Sequence, residues 1–257
     1  MKPAIISTEP WHSLTQWTSA RIALGRAGVS LPTRSVLEFT LDHARARDAS
    51  HSVLDTGPLR NRLQQAGFNT IEVRSRVRDR AEYLRRPDWG AQLCPDSQAS
   101  LSLPKKPGSG VLTVVVADGL SALASATHAL PLLEYLREGL RHWRLDDVII
   151  ATQARVALSD EIGEIRGAEA VLILIGERPG LKSPDSLGAY FTYRPRKGRT
   201  DSERNCVSNI RPESLTYELA AKRLLYLLDQ ARMLGKSGVS LKDDSDVTFD
   251  RLPPGER

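Results

Sequence analysis

Three short loop motifs contain the side chains of this sequence that are best suited to bind a ligand. The motifs are DGLS (118–121), ARVA (154–157) and GERPG (176–180). Glycines in such loops let backbone N–H groups approach a bound molecule, and Arg178 can meet a phosphate or a carboxylate. Simpler roles stay open, because Asp118 can cap a helix and Glu177 can pair with Arg178. It is the occurrence of all three motifs together that favours a ligand site.

Other chemistry-bearing motifs are absent from the sequence. No dinucleotide-binding G-x-G-x-x-G, P-loop or G-x-S-x-G motif occurs. The five histidines are not spaced as metal ligands, and the two cysteines, Cys94 and Cys206, lack the spacing of a zinc site. Cys206 has no identifiable basic partner that would make it a reactive thiolate, so its simpler interpretation is a small buried residue. The sequence therefore predicts no catalytic residue and no metal ligand.

Each of the three motifs follows an apolar run that is typical of a strand buried on both faces. These runs are VLTVVVA (111–117), DVIIATQ (147–153) and AVLILIG (170–176). Helical patterns follow the first two runs, and 186–195 has the composition of a fourth strand. The alternation predicts an α/β fold with a Rossmann-like, mostly parallel sheet. Ligands bind beyond the carboxyl ends of such strands, so the three motifs should share one edge.

The first hundred residues show a helical pattern. Apolar spacing predicts helices over 11–24, from Thr33 onward and around 55–66. The same region contains three tryptophans, Trp11, Trp17 and Trp89. Aromatic and arginine side chains are enriched at protein interfaces, so this arginine-rich region favours a contact with a partner protein. Packing of the tryptophans inside the helical region is the alternative.

Composition divides the chain into four parts. The segment LPKKPGSG is rich in proline, glycine and lysine, which is typical of a linker. The predicted parts are a helical N-terminal region at 1–102, the linker at 103–110, an α/β domain at 111–239 and a mobile tail at 240–257.

Charge and hydropathy exclude several classes of protein. The net charge is +5, but acidic residues interrupt the arginine-rich stretch 74–88, so we expect no nucleic-acid binding. The longest apolar runs are far shorter than the roughly 20 residues that cross a bilayer. The N-terminus lacks the apolar core of a secretory signal. We therefore expect a cytoplasmic protein with reduced thiols and no membrane contact.

Several long strings resemble the small (light) subunit of ethanolamine ammonia-lyase. They run in family order from about residue 10 to residue 238. They include ARIALGRAG (20–28), LPTRSVLEFTLDHARARD (31–48), YLRRPDWGAQL (83–93), VVADGLSA (115–122), DEIGEIRGAEAVLILIGERPGL (160–181) and NCVSNIRP (205–212). The string over 160–181 is long and specific to the family.

The resemblance implies a subunit of an adenosylcobalamin-dependent lyase. Enzymes of this family convert ethanolamine to acetaldehyde and ammonia. A large TIM-barrel subunit holds the substrate, and the small subunit helps to enclose the cobalamin and has no activity alone. The usual assembly is a hetero-oligomer of several large–small pairs, and some members with an N-terminal extension are linked to bacterial microcompartments.

The resemblance also implies three cobalamin-contacting residues. By motif they are Val156 in QARVAL, Glu177 in IGERPG and Cys206 in RNCVSN. Val156 and Glu177 lie in loops that were already candidates for ligand binding. The residues alone leave an alternative, a stand-alone α/β protein that binds a nucleotide or a phosphate at the same edge.

Overall fold

A seven-stranded sheet forms the centre of the part of the chain that the structure describes. The computed structural model describes residues 6–7, 9–18, 20–101 and 109–245. The strands are β1 (Thr70–Arg74), β2 (Val111–Ala117), β3 (Arg144–Leu145), β4 (Val148–Thr152), β5 (Ala170–Gly176), β6 (Leu187–Tyr193) and β7 (Arg204–Ile210). Their order is β1-β4-β2-β5-β6-β7, with the short β3 beside the start of β2.

The sheet is mostly parallel, as predicted. β1, β4, β2 and β5 run parallel to one another, whereas β6 and β7 are antiparallel to their neighbours. The four predicted strands correspond to β2, β4, β5 and β6. The connection 177–186 between β5 and β6 contains no helix. It is shorter than the dozen or so residues that a parallel crossover needs, so β6 turns back along β5.

Helices cover both faces of the sheet. The described residues form eight α-helices: α1 (Thr33–His51), α2 (Thr56–Gln65), α3 (Arg80–Arg85), α4 (Pro87–Gly90), α5 (Pro95–Leu101), α6 (Ala122–Gly139), α7 (Leu158–Ile165) and α8 (Tyr217–Leu234). Side chains of α2, α6 and α8 pack on one face, and side chains of α5 and α7 pack on the other. The fold is therefore a three-layer α/β sandwich.

The two helical layers explain the uninterrupted apolar runs of the central strands. In β2, Leu112, Val114 and Val116 belong to the core beneath α6 and α8. Val115 and Ala117 belong to the opposite core, on the side of α7. Successive side chains of a strand point to opposite faces, so both sets must be apolar when both faces are covered. Every residue of β2 and of β5 is accordingly buried.

The predictions for the first hundred residues are partly confirmed and partly wrong. The predicted helices from Thr33 and around 55–66 are present as α1 and α2. The predicted helix over 11–24 is wrong, because the described residues of this stretch form only a 3₁₀ helix at Pro10–Gln16. Trp11 and Trp17 are exposed there, and a short helix without packing partners is only marginally stable. The region is also not wholly helical, because β1 joins the sheet by pairing with β4.

Two predicted segments lie partly outside the described residues. The predicted linker at 103–110 is described only from residue 109, and the predicted tail only to residue 245. The beginning of that tail packs against the protein, with Leu241 and Ser245 buried. Among the helices of the described residues, none has the length and apolar character needed to cross a membrane.

Candidate functional site

The three candidate loops meet at one edge of the sheet. β2, β4 and β5 are parallel, so their carboxyl ends lie at the same edge. The loops that follow them line a cavity of about 300 Å³, and the wall is completed by Tyr83 and Tyr190. The structure thus brings together the DGLS, ARVA and GERPG motifs, as the strand pattern predicted.

Asp118 connects the first two of these loops. Its Oδ2 accepts a hydrogen bond from the backbone N–H of Gln153 at 2.8 Å, and its Oδ1 accepts one from the N–H of Ala154 at 3.0 Å. Burial raises the pKa of Asp118, while the two backbone donors and the guanidinium of Arg80 act in the opposite direction. The carboxylate does not cap α6, since the hydroxyl of Ser121 accepts the N–H of the first turn. Asp118 instead holds the two loops together.

Val156 lies in the wall of the cavity, in the loop between β4 and α7. Its carbonyl accepts hydrogen bonds from the backbone N–H of Ser159 at 3.1 Å and from the Ser159 hydroxyl at 2.8 Å. The backbone at this position is therefore fixed by the start of α7. The half-buried side chain contributes apolar surface to the cavity.

Glu177 lies in the same wall, directly after β5. Its carboxylate accepts a hydrogen bond from the hydroxyl of Ser186 at 2.5 Å and a longer one from the backbone N–H of Asn209 at 3.3 Å. Gly188 leaves room for this arrangement, because a Cβ there would lie 3.0 Å from Oε1 of Glu177. The side chain therefore does not pair with Arg178, the alternative that the sequence left open.

Cys206 lies beside the cavity and not in its wall. It is on β7, a strand that the sequence did not predict, and it faces Tyr190 across the β6–β7 ladder. Although part of the residue is open to solvent, the surrounding protein desolvates the thiol and raises the pKa of Cys206. The hydrogen bond with Tyr190 lowers this pKa, and the charge of Glu177 raises it. The thiol is therefore neutral at neutral pH, although the residue is not buried as the simpler interpretation expected.

Part of the site comes from the N-terminal region. The sequence alone does not predict this contribution. Tyr83 of α3 is fully buried, and its hydroxyl donates to the carbonyl of Ala154 at 3.0 Å. Arg80 donates to the carbonyl of Gly119 at 2.8 Å. Tyr83 lies in the YLRRPDWGAQL string that resembles the family, but no local pattern links it to a loop 71 residues later.

A larger cavity of about 540 Å³ lies at the neighbouring strand β1. It is lined by residues such as Arg74, Arg78 and Gln153, and by none of Val156, Glu177 and Cys206. We assign the candidate site to the smaller cavity, because three loops from adjacent parallel strands converge there.

The chemistry of the candidate site is that of a binding surface. Within the described ranges, no three or more His, Cys, Asp or Glu side chains are grouped so that they could hold a metal ion. The cavity offers a carboxylate, arginine side chains, tyrosine rings and backbone groups of glycines. Such groups can orient a ligand, and they contain no nucleophile paired with a base.

Comparison with known proteins identifies the family of the chain. The sequence profile described as "Ethanolamine ammonia-lyase light chain (EutC)" matches residues 8–242. The ethanolamine ammonia-lyase small subunit of Ralstonia nicotianae is 51% identical over 259 residues, which cover 99% of this chain and 95% of the relative. The small subunits of Azotobacter vinelandii and Pseudomonas fluorescens are 51% and 50% identical over 242 residues, with 93% of this chain and 90% and 87% of the relatives covered. The chain therefore belongs to the ethanolamine ammonia-lyase light-chain family, the small subunits of this lyase.

Proposed function

We propose that this chain encloses adenosylcobalamin together with the large subunit of an ethanolamine ammonia-lyase, which converts ethanolamine to acetaldehyde and ammonia. The main support is the cavity at the carboxyl edge of the sheet, with Val156 and Glu177 in its wall and Cys206 beside it. Relatives about half identical to this chain are named as small subunits of the same lyase. That membership favours this function over a stand-alone nucleotide- or phosphate-binding protein.

The groups in the cavity suit one part of a cobalamin. Val156 offers apolar surface, and the carboxylate of Glu177 can accept hydrogen bonds from the carboxamides at the edge of a corrin ring. Arg155 lines the cavity and forms no ion pair with a described residue, so its guanidinium retains donor capacity for a ligand. Adenosylcobalamin supplies the radical chemistry through its cobalt–carbon bond, while residues of this chain bind and orient it.

The size of the cavity supports the proposal that a second protein completes the enclosure. Pockets for drug-sized ligands occupy roughly 300–1,000 Å³. Cobalamin is larger than such ligands, so a cavity of about 300 Å³ covers only a portion of it. The remaining surface of the cofactor is assigned to the large subunit in our proposal.

We further propose that this subunit supplies no ligand to cobalt, so that cobalamin keeps its own dimethylbenzimidazole base. His128 is buried in α6, with Nδ1 2.7 Å from the hydroxyl of Tyr217 and Nε2 3.4 Å from the carboxylate of Asp185. Both ring nitrogens are therefore engaged inside the protein. His43 lies on α1, where its ring packs against Phe39. Neither histidine lines the candidate cavity.

The N-terminal region is the proposed contact surface for the large subunit. Trp11 is 64% exposed, Trp17 is 81% exposed and Leu37 of α1 is 64% exposed. Aromatic side chains are enriched at protein interfaces, so exposed tryptophans favour a contact with a partner here. Trp89 supports the alternative of internal packing, since it is half-buried with the guanidinium of Arg86 4.0 Å from its ring.

Co-expression with a candidate large subunit tests the proposed function. The purified complex should bind adenosylcobalamin and release ammonia from ethanolamine, whereas this chain alone should do neither. The isolated chain is expected to be inactive because the site contains no nucleophile–base pair. Ethanolamine turnover by this chain with the large subunit rigorously excluded, or a complex that does not bind adenosylcobalamin, would contradict the proposal.

A further inference from the structure

Arg155 is held in one orientation at the wall of the candidate cavity. Its backbone N–H donates to the carbonyl of Gly90 at 2.8 Å. A Cβ on Gly90 would lie only 2.8 Å from Cγ of Arg155, so the absence of a side chain at Gly90 creates the slot for the arginine stem. The guanidinium carbon lies 4.1 Å from the ring centroid of Tyr83, and Nη2 donates to the Tyr83 carbonyl at 3.3 Å. The side chain is therefore positioned before any ligand arrives.

The charge of Arg155 is not compensated by the described residues. The neighbouring Arg80 lies 3.7 Å from the carboxylate of Asp118, but no carboxylate of the described ranges forms an ion pair with Arg155. Its Nε is buried and has no hydrogen-bond partner. Glu177 shares the cavity, but its carboxylate is bonded to Ser186 and Asn209. Because no described carboxylate neutralises this guanidinium in the cavity wall, an anion from outside this chain would be favoured there.

We propose that Arg155 binds the phosphodiester of the cobalamin nucleotide tail, an inference that rests on the proposed function. The peripheral side chains of cobalamin are neutral amides, and the phosphodiester is its anionic group. The planar guanidinium presents paired donors that match phosphate oxygens, and charge-assisted bonds of this kind are stronger than neutral ones. Because Tyr83 and Gly90 already fix the side chain, little conformational freedom is lost on binding. Arg155 thus positions the tail, while Val156 and Glu177 contact other parts of the cofactor.

The assignment can be tested by comparing how tightly the complex with the large subunit binds two corrinoids. The two compounds differ only in a phosphodiester group. Adenosylcobinamide lacks the nucleotide tail, and adenosylcobinamide methyl phosphate adds only a phosphodiester. The wild-type complex should bind the methyl phosphate about 10- to 100-fold more tightly, as expected for a hydrogen-bonded charge pair. Arg155→Gln should abolish this preference without weakening adenosylcobinamide, and Arg155→Lys should keep part of it. Arg141→Gln, an exposed arginine outside the cavity lining, is the matched control and should retain the full preference.

The possible results separate this inference from the proposed function. Equal binding of the two corrinoids by the wild-type complex would overturn the inference, and this measurement needs no variant. An Arg155→Gln complex that binds both corrinoids more weakly by the same factor would overturn it too, since Arg155 would then be structural or paired with a carboxylate of the large subunit. A wild-type complex that binds no corrinoid would instead refute the proposed function.

Discussion

Arg80 and Asp118 form a buried ion pair, with Nη1 of Arg80 3.7 Å from Oδ2 of Asp118. Arg80 also donates to the carbonyls of Ser50 and Gly119, at 2.9 and 2.8 Å. The pair joins α3 and the end of α1 to the loop after β2. The N-terminal region is therefore anchored at the candidate site and not merely attached through the chain.

Replacing Arg80 should strongly destabilise the fold. Arg80→Met would leave the Asp118 carboxylate buried without a cation, and breaking a buried pair in this way typically costs about 3–5 kcal/mol of unfolding free energy. Urea denaturation of the chain at neutral pH measures the loss. Arg34→Met, which removes the exposed Arg34–Glu38 pair, is the control and should change the free energy little. Equal losses in the two variants would contradict the prediction.

Cys206 should react slowly with iodoacetamide at neutral pH despite its place at the surface. Its raised pKa keeps the thiol protonated, and the reactive thiolate forms only as the pH rises through that value. The alkylation rate as a function of pH should therefore have a midpoint above that of a cysteine in an unfolded peptide. Tyr190→Phe removes the hydrogen bond that lowers the pKa, so the midpoint should rise further. A Cys94→Ala background leaves a single thiol, and a midpoint at or below the peptide value would disprove the expectation.

Glu177 should contribute to cofactor affinity in the complex. Glu177→Gln removes the charge and half of the acceptor capacity, so the dissociation constant for adenosylcobalamin should rise about 3- to 10-fold, the range of one hydrogen bond. Absorbance titration of the purified complex measures this constant. Glu138→Gln, at the exposed end of α6, is the control. Unchanged affinity in the Glu177 variant would remove this residue from the proposed site.

The exposed apolar surface of the N-terminal region should mediate pairing. Trp17→Ser combined with Leu37→Ser should weaken association with the large subunit but leave the unfolding free energy of the isolated chain unchanged, because both side chains are exposed. Sedimentation of the mixed subunits measures pairing, and Val239→Ser is a control at another exposed apolar residue. Deleting residues 1–100 would be a poorer test, since it would also remove β1 and Tyr83. Normal pairing by the double variant would show that the contact lies elsewhere.

Paramagnetic resonance can identify the axial ligand of cobalt. Cob(II)alamin whose dimethylbenzimidazole carries nitrogen-15 should show superhyperfine splitting from the labelled base when bound to the complex. His128 cannot reach a ligand outside the protein while both its ring nitrogens are engaged. A splitting that is the same with the labelled and the unlabelled base, and that disappears in His128→Ala, would show that the protein supplies the ligand.

The strands that the sequence predicted are those that are buried on both faces of the sheet. β2 and β5 are recognisable because every residue is buried and, apart from Thr113, every side chain is apolar. β1 and β7 lie at the edges of the sheet, where TIEVR and RNCVSNI mix polar with apolar residues, and neither was predicted. Edge strands expose part of their surface, so the hydrophobic signal is lost there.

The candidate site was predictable only where local sequence determines its position. Val156 and Glu177 follow buried strands, so the loops that hold them could be placed at the carboxyl edge of the sheet. Tyr83 and Arg80 reach the site through contacts with distant parts of the chain. Such contacts leave no periodic signal in a single sequence.

The link between Tyr83 and Ala154 has a consequence for how the chain acquires its shape during synthesis. The Tyr83 ring leaves the ribosome before the carbonyl that its hydroxyl contacts, because the two residues are 71 positions apart. β1 likewise cannot pair in the sheet until β4, which follows it in the chain, has been synthesised. Until then the nascent polypeptide carries an unpaired strand edge, a typical starting point for aggregation. Interrupted translation after the first hundred residues should therefore yield insoluble fragments that require chaperones.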